Sequence, residues 1–277
     1  MDDERLVAVT GSSGRVGEAV ARGLATAGWR VRGGDRAPGP CTQVVGDLRD
    51  PRVRQDLVRG AAVVVHAAAL HAPHVGVMDD AEFRAVNVDA TEALLADAAG
   101  GRRFVYISST SVYGSALVPV DRAVWVDEAL APQPRDIYDE TKLAAERLVA
   151  AGPLPSVVLR IARCFPEPLP VLATRLLHRA VRLEDVVAAV TGVLTHGTVT
   201  GTFTIAGRYP FRRDDCVALH HDAAGLIAVR APDVAAAFRA RGWPLPARLD
   251  RVYDSGAATD AFGYRPAEGV LSLLRGE

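Results

Sequence analysis

A glycine-rich turn between an apolar run and a helical stretch is the feature that most limits how this chain can fold. The apolar run is Leu6–Thr10, and the turn is Gly11-Ser12-Ser13-Gly14-Arg15-Val16-Gly17, with the spacing G-x-x-G-x-x-G. Glycines at this spacing let a strand pass directly into a helix and let the backbone approach a bound group closely. Because the start of a helix attracts a phosphate, the sequence predicts a strand–turn–helix unit that binds a phosphate-bearing ligand. The alternative is a purely structural turn.

Further apolar runs alternate with helical stretches along the chain. Strands are predicted at 29–32, 44–45, 61–65, 104–107, 156–161 and 202–205, and helices at 15–27, 53–59, 80–99, 138–150 and 183–194, while three prolines predict a loop at 164–170. Uniformly apolar strands that alternate with helices are typical of a parallel sheet covered on both faces. We therefore predict a doubly wound α/β fold over 1–163, continued by 181–206, and a small substrate lobe formed by 164–180 and 207–277.

The charge and cysteine content exclude several classes of protein. The 277 residues carry a formal net charge of −1, which argues against a nucleic-acid partner. The three cysteines lie far apart and are odd in number, as expected for a reducing compartment. The longest apolar stretch, 61–72, is interrupted by His66 and His71 and is too short to span a membrane. We expect a cytoplasmic protein with no membrane partner.

An acidic residue follows the second predicted strand. Asp35 lies close to the offset of about 20 residues after the glycine turn at which a ribose-binding acid is expected. Such a carboxylate accepts hydrogen bonds from the ribose hydroxyls of NAD and repels the extra phosphate of NADP. Arg36 follows directly and is able to accept that phosphate. The pair favours NAD and leaves NADP possible; a solvated Asp-Arg turn is the alternative.

A tyrosine and a lysine are spaced so that they share one face of a helix. Tyr138 and Lys142 are four residues apart within Tyr138-Asp139-Glu140-Thr141-Lys142. A phenol has a pKa of about 10, and a nearby ammonium group lowers that value. The pair therefore has the chemistry of a tyrosine acid/base, with an ordinary surface pair as the alternative.

Lys142 is also the only lysine among 32 basic residues, and Asn87 is the only asparagine. A chain that uses arginine everywhere else retains lysine at a site that needs a compact ammonium group, because a planar guanidinium is not interchangeable with it. Survival by chance is the alternative. The composition thus singles out position 142 independently of the helical spacing.

Taken in order, these motifs resemble the extended, NAD-dependent epimerase/dehydratase branch of the short-chain dehydrogenase/reductase superfamily. The matching segments are the glycine turn, Asp35, Gly46-Asp47-Leu48, His66-Ala67-Ala68, Asn87, 108–114, 138–142, Arg160, 251–254 and 262–266. The likeness covers nearly the whole chain. It implies a Rossmann-type doubly wound sheet with a small C-terminal substrate lobe.

The resemblance implies a role for each matching residue. Ser109, Tyr138 and Lys142 would be catalytic. The cofactor would contact Gly11, Ser13, Gly14, Arg15, Val16, Gly17, Asp35, Arg36, Asp47, Leu48, Ala67, Ala68, Ala69 and Asn87, together with Tyr138 and Lys142. The substrate would contact His74, Ser109, Thr110, Ser111, Arg163 and Arg251.

Departures from the family pattern limit the reaction. Dehydratases of this branch carry an Asp-Glu pair where this chain has Thr110 and Ser111, which disfavours a 4,6-dehydratase. Many nucleotide-sugar epimerases carry an asparagine where this chain has Arg163. The segment 160–168 instead looks like the corresponding loop of uronate dehydrogenases, which act on free sugar acids.

Two histidines follow the fourth predicted strand. His71 and His74 would lie at the carboxyl edge of the sheet, where ligands bind. Substrate contact, plain loop residues and a metal site are the three alternatives. No third ligand stands at suitable spacing, so no metal is predicted.

These observations predict an NAD-dependent oxidoreductase or epimerase that transfers hydride, with help from a tyrosine, at a secondary C–OH of a sugar or nucleotide-sugar. Oxidation of a free sugar acid and a non-catalytic NAD(P)-binding scaffold are the alternatives. The resemblance also implies a homodimer, formed through helices that begin near Asp80 and Tyr138.

Overall fold

Seven parallel strands form the central sheet of the protein. The computed structural model describes residues 5–267 and 269–275. The strands are β1 (Leu6–Thr10), β2 (Arg30–Asp35), β3 (Val44–Val45), β4 (Val63–His66), β5 (Arg103–Ser109), β7 (Ser156–Ile161) and β8 (Gly201–Ile205). Their order in space is β3-β2-β1-β4-β5-β7-β8, and every adjacent pair is parallel. The predicted doubly wound, Rossmann-like α/β fold is confirmed.

Helices cover both faces of this sheet. The helices of the described residues are α1 (Arg15–Thr26), α2 (Pro51–Val58), α3 (Asp80–Arg84), α4 (Ala90–Asp97), α5 (Ile137–Ala151), α6 (Leu169–Arg175), α7 (Leu183–Thr195), α8 (Cys216–His221), α9 (Ala223–Arg230), α10 (Pro232–Ala240), α11 (Gly256–Phe262) and α12 (Gly269–Arg275). Helices α8, α9 and α10 pack in a separate hydrophobic cluster rather than on this sheet. Successive β1 side chains point to opposite faces. Val7 and Val9 pack with α1 and α7, whereas Leu6 and Ala8 pack with α2, α4 and α5.

The helix predicted over 80–99 is interrupted. Residues Ala85–Asp89 form a π-helical segment between α3 and α4, with Asn87 at its centre. Such segments occur where a side chain forces an extra residue into a helical turn. The buried Asn87 side chain makes its hydrogen bonds to residues outside this helical stretch. Local periodicity does not contain these distant partners, and it therefore predicted one continuous helix.

The predicted loop at 164–170 is shorter in the structure. Helix α6 begins at Leu169, with Pro170 in its first turn. The first turn of a helix tolerates proline because its N–H groups have no partner within the helix. This short helix brings its C-terminal end next to the cleft described below.

A second, two-stranded sheet pairs distant parts of the chain. Strand β6 (Val124–Val126) lies parallel to β9 (Arg251–Tyr253). Ala123 and Trp125 therefore join the hydrophobic cluster of the C-terminal helices, although the sequence assigned them to the first part of the chain. Among the described residues, no helix is long and apolar enough to cross a membrane.

The topology determines where a ligand can bind. The chain runs outward from β1 through β2 to β3 and then crosses back to β4 on the other side of β1, so a crevice opens at the carboxyl edge where the strand order reverses. The glycine turn, the end of β5 and the start of α5 all lie at this edge.

Candidate active site

A single cleft collects nearly all of the predicted site residues. It has a volume of about 530 Å³ and runs from the glycine turn, past the ends of β4 and β5, to the second sheet. Every residue predicted to contact cofactor or substrate lines it except Ser13 and Asn87. Residues far apart in sequence thus form one site, as the resemblance implied.

The glycine turn is shaped by contacts that a side chain would block. Gly11 has a φ of +71°, and a Cβ there would lie 2.8 Å from the backbone nitrogen of Ala68. A Cβ on Gly17 would lie 2.0 Å from the carbonyl oxygen of Gly11. The turn thus packs directly on the first turn of α1, and its three glycines present backbone to the cleft. This geometry fits the pyrophosphate of a dinucleotide.

Asp35 lies at the end of β2 and faces the cleft. Its carboxylate accepts hydrogen bonds from the backbone nitrogens of Ser13 (3.1 Å) and Ala37 (3.0 Å). The Ser13 hydroxyl donates to the carbonyl oxygen of Ala37 at 2.6 Å. Ser13 therefore orients Asp35 and lies outside the cleft lining, and its contact with the cofactor stays a prediction.

Residues 67–69, which line the cleft after β4, are positioned by the side chain of Thr10. The Thr10 hydroxyl accepts the backbone N–H groups of Ala67 and Ala68, both at 3.0 Å. Thr10 also bonds to Nδ1 of His66 (2.7 Å), whose Nε2 bonds to the Thr91 hydroxyl (2.9 Å). Burial lowers the pKa of His66 to about 3, so this imidazole is neutral. Thr10 and Thr91 were not identified from sequence, because their role depends on a residue from another strand.

Asn87 positions the next residue of this cleft-lining segment, Leu70. Its side-chain oxygen accepts the Leu70 N–H (2.8 Å), and its amide nitrogen donates to the Leu70 carbonyl (2.9 Å) and the Thr141 hydroxyl (3.1 Å). The side chain is buried and outside the cleft. Asn87 therefore joins the loop after β4 to α5, and its contact with the cofactor stays a prediction.

Ser109 and Tyr138 meet in the middle of the cleft. Ser109 ends β5, and Tyr138 lies in the first turn of α5, which Asp136 caps by accepting the Asp139 N–H at 2.9 Å. Burial raises the pKa of Tyr138 to about 12, and a hydrogen bond with the Ser109 hydroxyl opposes that rise. The phenol is therefore protonated at neutral pH and is placed to exchange a proton with a bound molecule.

Lys142 lies one helical turn after Tyr138, deeper in the protein. It is only 3% exposed, and its Nζ donates to the carbonyl oxygen of Ile107 at 2.7 Å. The ammonium group also lies 4.3 Å from the centre of the Tyr106 ring. Burial lowers the pKa of Lys142 to about 7, and the negative charge of Glu146 opposes this fall.

An ion pair that the sequence analysis missed lies below Lys142. The Glu146 carboxylate binds the Arg160 guanidinium at 2.7 Å and accepts the Ser108 hydroxyl at 2.5 Å. The family resemblance included Arg160 but did not indicate which residue it pairs with. The available signal was spacing, since Tyr138, Lys142 and Glu146 follow one another at intervals of four on α5.

Four arginines line the end of the cleft nearest the second sheet. They are Arg163, Arg175, Arg179 and Arg251. Glu167 pairs with Arg163 (2.8 Å) and Arg175 (2.6 Å), and Asp250 pairs with Arg179 (3.2 Å) and Arg251 (2.6 Å). Four positive groups against two carboxylates leave this end positively charged. Arg175 and Arg179 were missed from sequence, although their spacing of four indicates a shared helix face.

The histidine pair lies near this end. The His71 and His74 rings are 4.6 Å apart, and Nδ1 of His74 accepts the His71 N–H at 3.1 Å. Both residues line the cleft. Among residues 5–267 and 269–275, no group of three or more His, Cys, Asp or Glu side chains is arranged to hold a metal ion.

Sequence comparison assigns the fold and cleft to a family. The profile of the NAD dependent epimerase/dehydratase family matches residues 7–165, which include the glycine turn, Ser109 and the Tyr138–Lys142 pair. The chain belongs to this family. The resemblance predicted from the motifs is thereby confirmed, and so is NAD as the cofactor of the family.

One curated protein similar to this chain is the 3 beta-hydroxysteroid dehydrogenase/Delta 5-->4-isomerase of Mycobacterium tuberculosis. The two chains are 38% identical over 159 residues, which are 52% of this chain and 42% of the relative. The match therefore spans less than half of the relative's length.

Solved structures give the same fold over almost the whole chain. A short-chain dehydrogenase/reductase superfamily protein from Agrobacterium tumefaciens, with bound NAD, has a TM-score of 0.73 at 24% identity and covers 98% of this chain and 95% of its own. UDP-glucuronic acid 4-epimerase from Bacillus cereus, in complex with UDP-glucuronic acid and NAD, has a TM-score of 0.69 at 19% identity, with coverage of 98% and 96%. At these identities the likeness concerns the fold.

Proposed function

We propose that this protein is an NAD-dependent oxidoreductase or epimerase that acts on a secondary C–OH of an anionic sugar or nucleotide-sugar. The observation that carries the proposal is the meeting of Ser109, Tyr138 and Lys142 in a cleft that begins at the glycine turn. Membership of the NAD dependent epimerase/dehydratase family supports it.

The proposed chemistry at the substrate is a proton transfer. The Tyr138 oxygen takes the proton of the C–OH group in oxidation and returns it in reduction, while the Ser109 hydroxyl hydrogen-bonds the same substrate oxygen. NAD, when bound, would supply the hydride acceptor or donor for the same carbon. Lys142 stabilises the phenolate because a nearby positive charge lowers the pKa of a phenol.

The cofactor would be held by groups already described. The backbone of the glycine turn at 11–17 would face the pyrophosphate, and Asp35 would accept hydrogen bonds from the adenosine ribose. The repulsion between Asp35 and a 2′-phosphate favours NAD over NADP. Asp47 and Leu48 line the same end of the cleft, next to the adenine in this proposal.

The arginine-lined end supports an anionic substrate. Four guanidinium groups suit phosphate or carboxylate oxygens, which arginine binds through paired hydrogen bonds. A neutral steroid, the substrate named for the M. tuberculosis relative, has no anionic group for the positive charge that Glu167 and Asp250 leave unbalanced. The uronate-dehydrogenase-like loop at 160–168 contains Arg163 and favours a free sugar acid as the second candidate substrate.

The test is a substrate panel with added NAD. Uronic acids, nucleoside diphosphate sugars and a 3β-hydroxysteroid are each incubated with the protein, and NADH formation and product stereochemistry are measured. We expect turnover of an anionic sugar. NADH in proportion to product identifies a dehydrogenase, whereas a new stereoisomer without NADH accumulation identifies an epimerase.

The Tyr138→Phe variant tests the role of the phenol. We expect a loss of turnover of about 100- to 10,000-fold, the usual contribution of a general acid or base, with NAD binding by calorimetry retained. Unchanged turnover in this variant would contradict the mechanism. Unchanged biological activity of this variant would favour the scaffold alternative, and a protein that binds neither NAD nor NADP would contradict the enzyme proposal.

A further inference from the structure

The buried ion pair between Glu146 and Arg160 lies directly behind the catalytic lysine. The two side chains are 5% and 7% exposed. Two Arg160 nitrogens contact the Glu146 carboxylate at 2.7–3.2 Å, and the Ser108 hydroxyl donates to the same carboxylate at 2.5 Å. The carboxylate is therefore fixed by groups from two strands, β5 and β7.

Such a pair is a poor source of stability. Removing two charges from water costs about as much as their attraction returns, and apolar replacements are often neutral or stabilising. The location of the pair points to another role. Glu146 follows Lys142 by one helical turn, as Lys142 follows Tyr138, so the three side chains form one row along α5.

Lys142 has few polar neighbours of its own. Its hydrogen bond goes to the neutral carbonyl of Ile107, and its other close contact is the face of the Tyr106 ring. The titratable groups that face Lys142 and Glu146 come from every element packed around them: Tyr138 from α5, Tyr106 from β5, His66 from β4, His71 from the following loop and Arg160 from β7. Burial holds His66 neutral. Glu146 supplies the negative charge within this set.

We propose that Glu146 is a positioning residue for the reaction: its carboxylate, fixed by Ser108 and Arg160, keeps the buried Lys142 side chain protonated beneath Tyr138. The part played in the reaction rests on the proposed function, whereas the effect on Lys142 does not. Burial pulls the pKa of Lys142 down to about 7, and the Glu146 charge is the contribution that opposes it.

The consequence reaches the substrate through Tyr138. A neutral lysine no longer stabilises the phenolate, so a loss of charge at Lys142 makes the Tyr138 proton harder to remove. Glu146 touches no substrate atom in this arrangement and lies outside the cleft lining. It therefore acts through Lys142, and the pH dependence of both groups should change with it.

The composition of the chain makes a direct test possible. Because Lys142 is the only lysine, isotope labelling of lysine gives one side-chain NMR signal, and its titration reports the protonation of Lys142 in the protein alone. We expect a midpoint near 7 in the wild-type protein. In Glu146→Gln the midpoint should fall by about one pH unit or more, as expected for the removal of a neighbouring opposite charge.

Two further variants separate charge from folding. Glu140→Gln removes an exposed carboxylate from the same helix and should leave the Lys142 midpoint unchanged. The double variant Glu146→Gln/Arg160→Gln removes both buried charges, so it leaves no unpaired ion to unfold the protein. The Lys142 midpoint should fall in the double variant as well. An unchanged Lys142 midpoint in the folded double variant would overturn the proposal.

The activity arm uses the substrate identified by the panel. In Glu146→Gln the acidic limb of the oxidation pH profile should move upward by about one unit, while the KM for NAD changes less than twofold. An unchanged profile would overturn the part that Glu146 plays in the reaction. Absence of wild-type turnover would count against the proposed function alone, because the NMR titration needs no substrate.

Discussion

At the scale of single residues, position 142 joins composition to chemistry. The lone lysine of the chain is buried, with its Nζ 2.7 Å from the Ile107 carbonyl and 4.3 Å from the Tyr106 ring centre. A compact ammonium group on an unbranched stem fits between these two contacts. A guanidinium group is wider, planar and spreads its charge over three nitrogens. The chain therefore uses lysine instead of arginine at position 142, where a guanidinium group does not fit.

Lys142→Arg tests this argument while keeping a positive charge. We expect kcat to fall by about 100-fold, because a misplacement of about 1 Å in a catalytic site costs that much. Steady-state rates on the substrate identified by the panel are the measurement. The reverse change on the exposed face of the same helix, Arg147→Lys, should leave kcat unchanged. Full activity in Lys142→Arg would show that charge alone is required.

At the scale of elements, the cleft depends on contacts between segments that are distant in sequence. The π-helical segment between α3 and α4 carries Asn87 to the backbone of Leu70 and to Thr141 on α5. The helix that bears Tyr138 and the loop that lines the cleft are thus tied to one amide. Similarly, the start of α1 is tied to the turn by the close approach of Gly17 to Gly11.

Asn87→Ala should loosen this connection. The Leu70 N–H and C=O groups lose their side-chain partner in a buried place, which costs about 1–3 kcal/mol per unsatisfied group. We expect the free energy of unfolding, measured in urea, to fall by about 2 kcal/mol or more on that basis. The loop at 67–70 should also exchange its amide hydrogens faster. Unchanged stability and exchange would remove Asn87 from its positioning role.

Gly17→Ala should destabilise the protein, although alanine favours a helix by about 1 kcal/mol over glycine. The added Cβ would lie 2.0 Å from the Gly11 carbonyl oxygen, so the turn must move away from α1. We expect a loss of about 1–3 kcal/mol, the usual cost of overpacking, together with a loss of NAD binding by calorimetry. Gly100→Ala is the matched control, since no atom lies within 4 Å of its Cβ. A Gly17→Ala protein that binds NAD normally would contradict this account of the turn.

At the scale of the whole molecule, the cleft lies where two hydrophobic clusters meet. One cluster packs between the central sheet, α1 and α7, and another is formed largely by the C-terminal helices with Ala123 from the segment before β6. The cluster around the central sheet adjoins the glycine-turn end of the cleft. Residues after 160 supply the four arginines at its other end. We propose that these parts correspond to a dinucleotide domain and a substrate lobe. The homodimer stays a prediction, which sedimentation velocity tests.

The pH dependence of folding offers a test at this scale. His66 is buried between Thr10 and Thr91, and burial lowers its pKa to about 3. An unfolded histidine titrates near 6.5, so the unfolded chain binds a proton between pH 6.5 and 3 that the folded protein does not. Stability is therefore lost as the pH falls through this range, by about 1.4 kcal/mol per unit for this proton.

Urea unfolding between pH 7 and 4 measures this loss. The free energy of unfolding should change less steeply with pH in His66→Gln, by at most the contribution of one bound proton. The exposed control His196→Gln should keep the wild-type slope. Identical slopes in all three proteins would show that His66 is protonated without cost in the folded state.

The local patterns were sufficient for the central elements. The apolar run Leu6–Thr10, the glycine turn and the Tyr138–Lys142 spacing each predicted a feature that the structure contains. They succeed because each concerns interactions within a few residues: strand burial, turn geometry and the four-residue repeat of a helix. The carboxyl edge as the ligand site followed from the parallel order of the strands.

Other features depend on partners that no local pattern names. The hydrogen bonds of Asn87 to Leu70 and of Ser13 to Asp35 join elements that the matching motifs do not connect. The Glu146–Arg160 pair and the β6–β9 pairing join residues that are 14 and more than 100 positions apart. The sequence by itself determined the sheet, the glycine turn and the tyrosine–lysine pair through short-range periodicity and steric freedom. Only the tertiary structure decided which polar groups face the cleft, because burial and hydrogen bonding depend on what packs against each side chain.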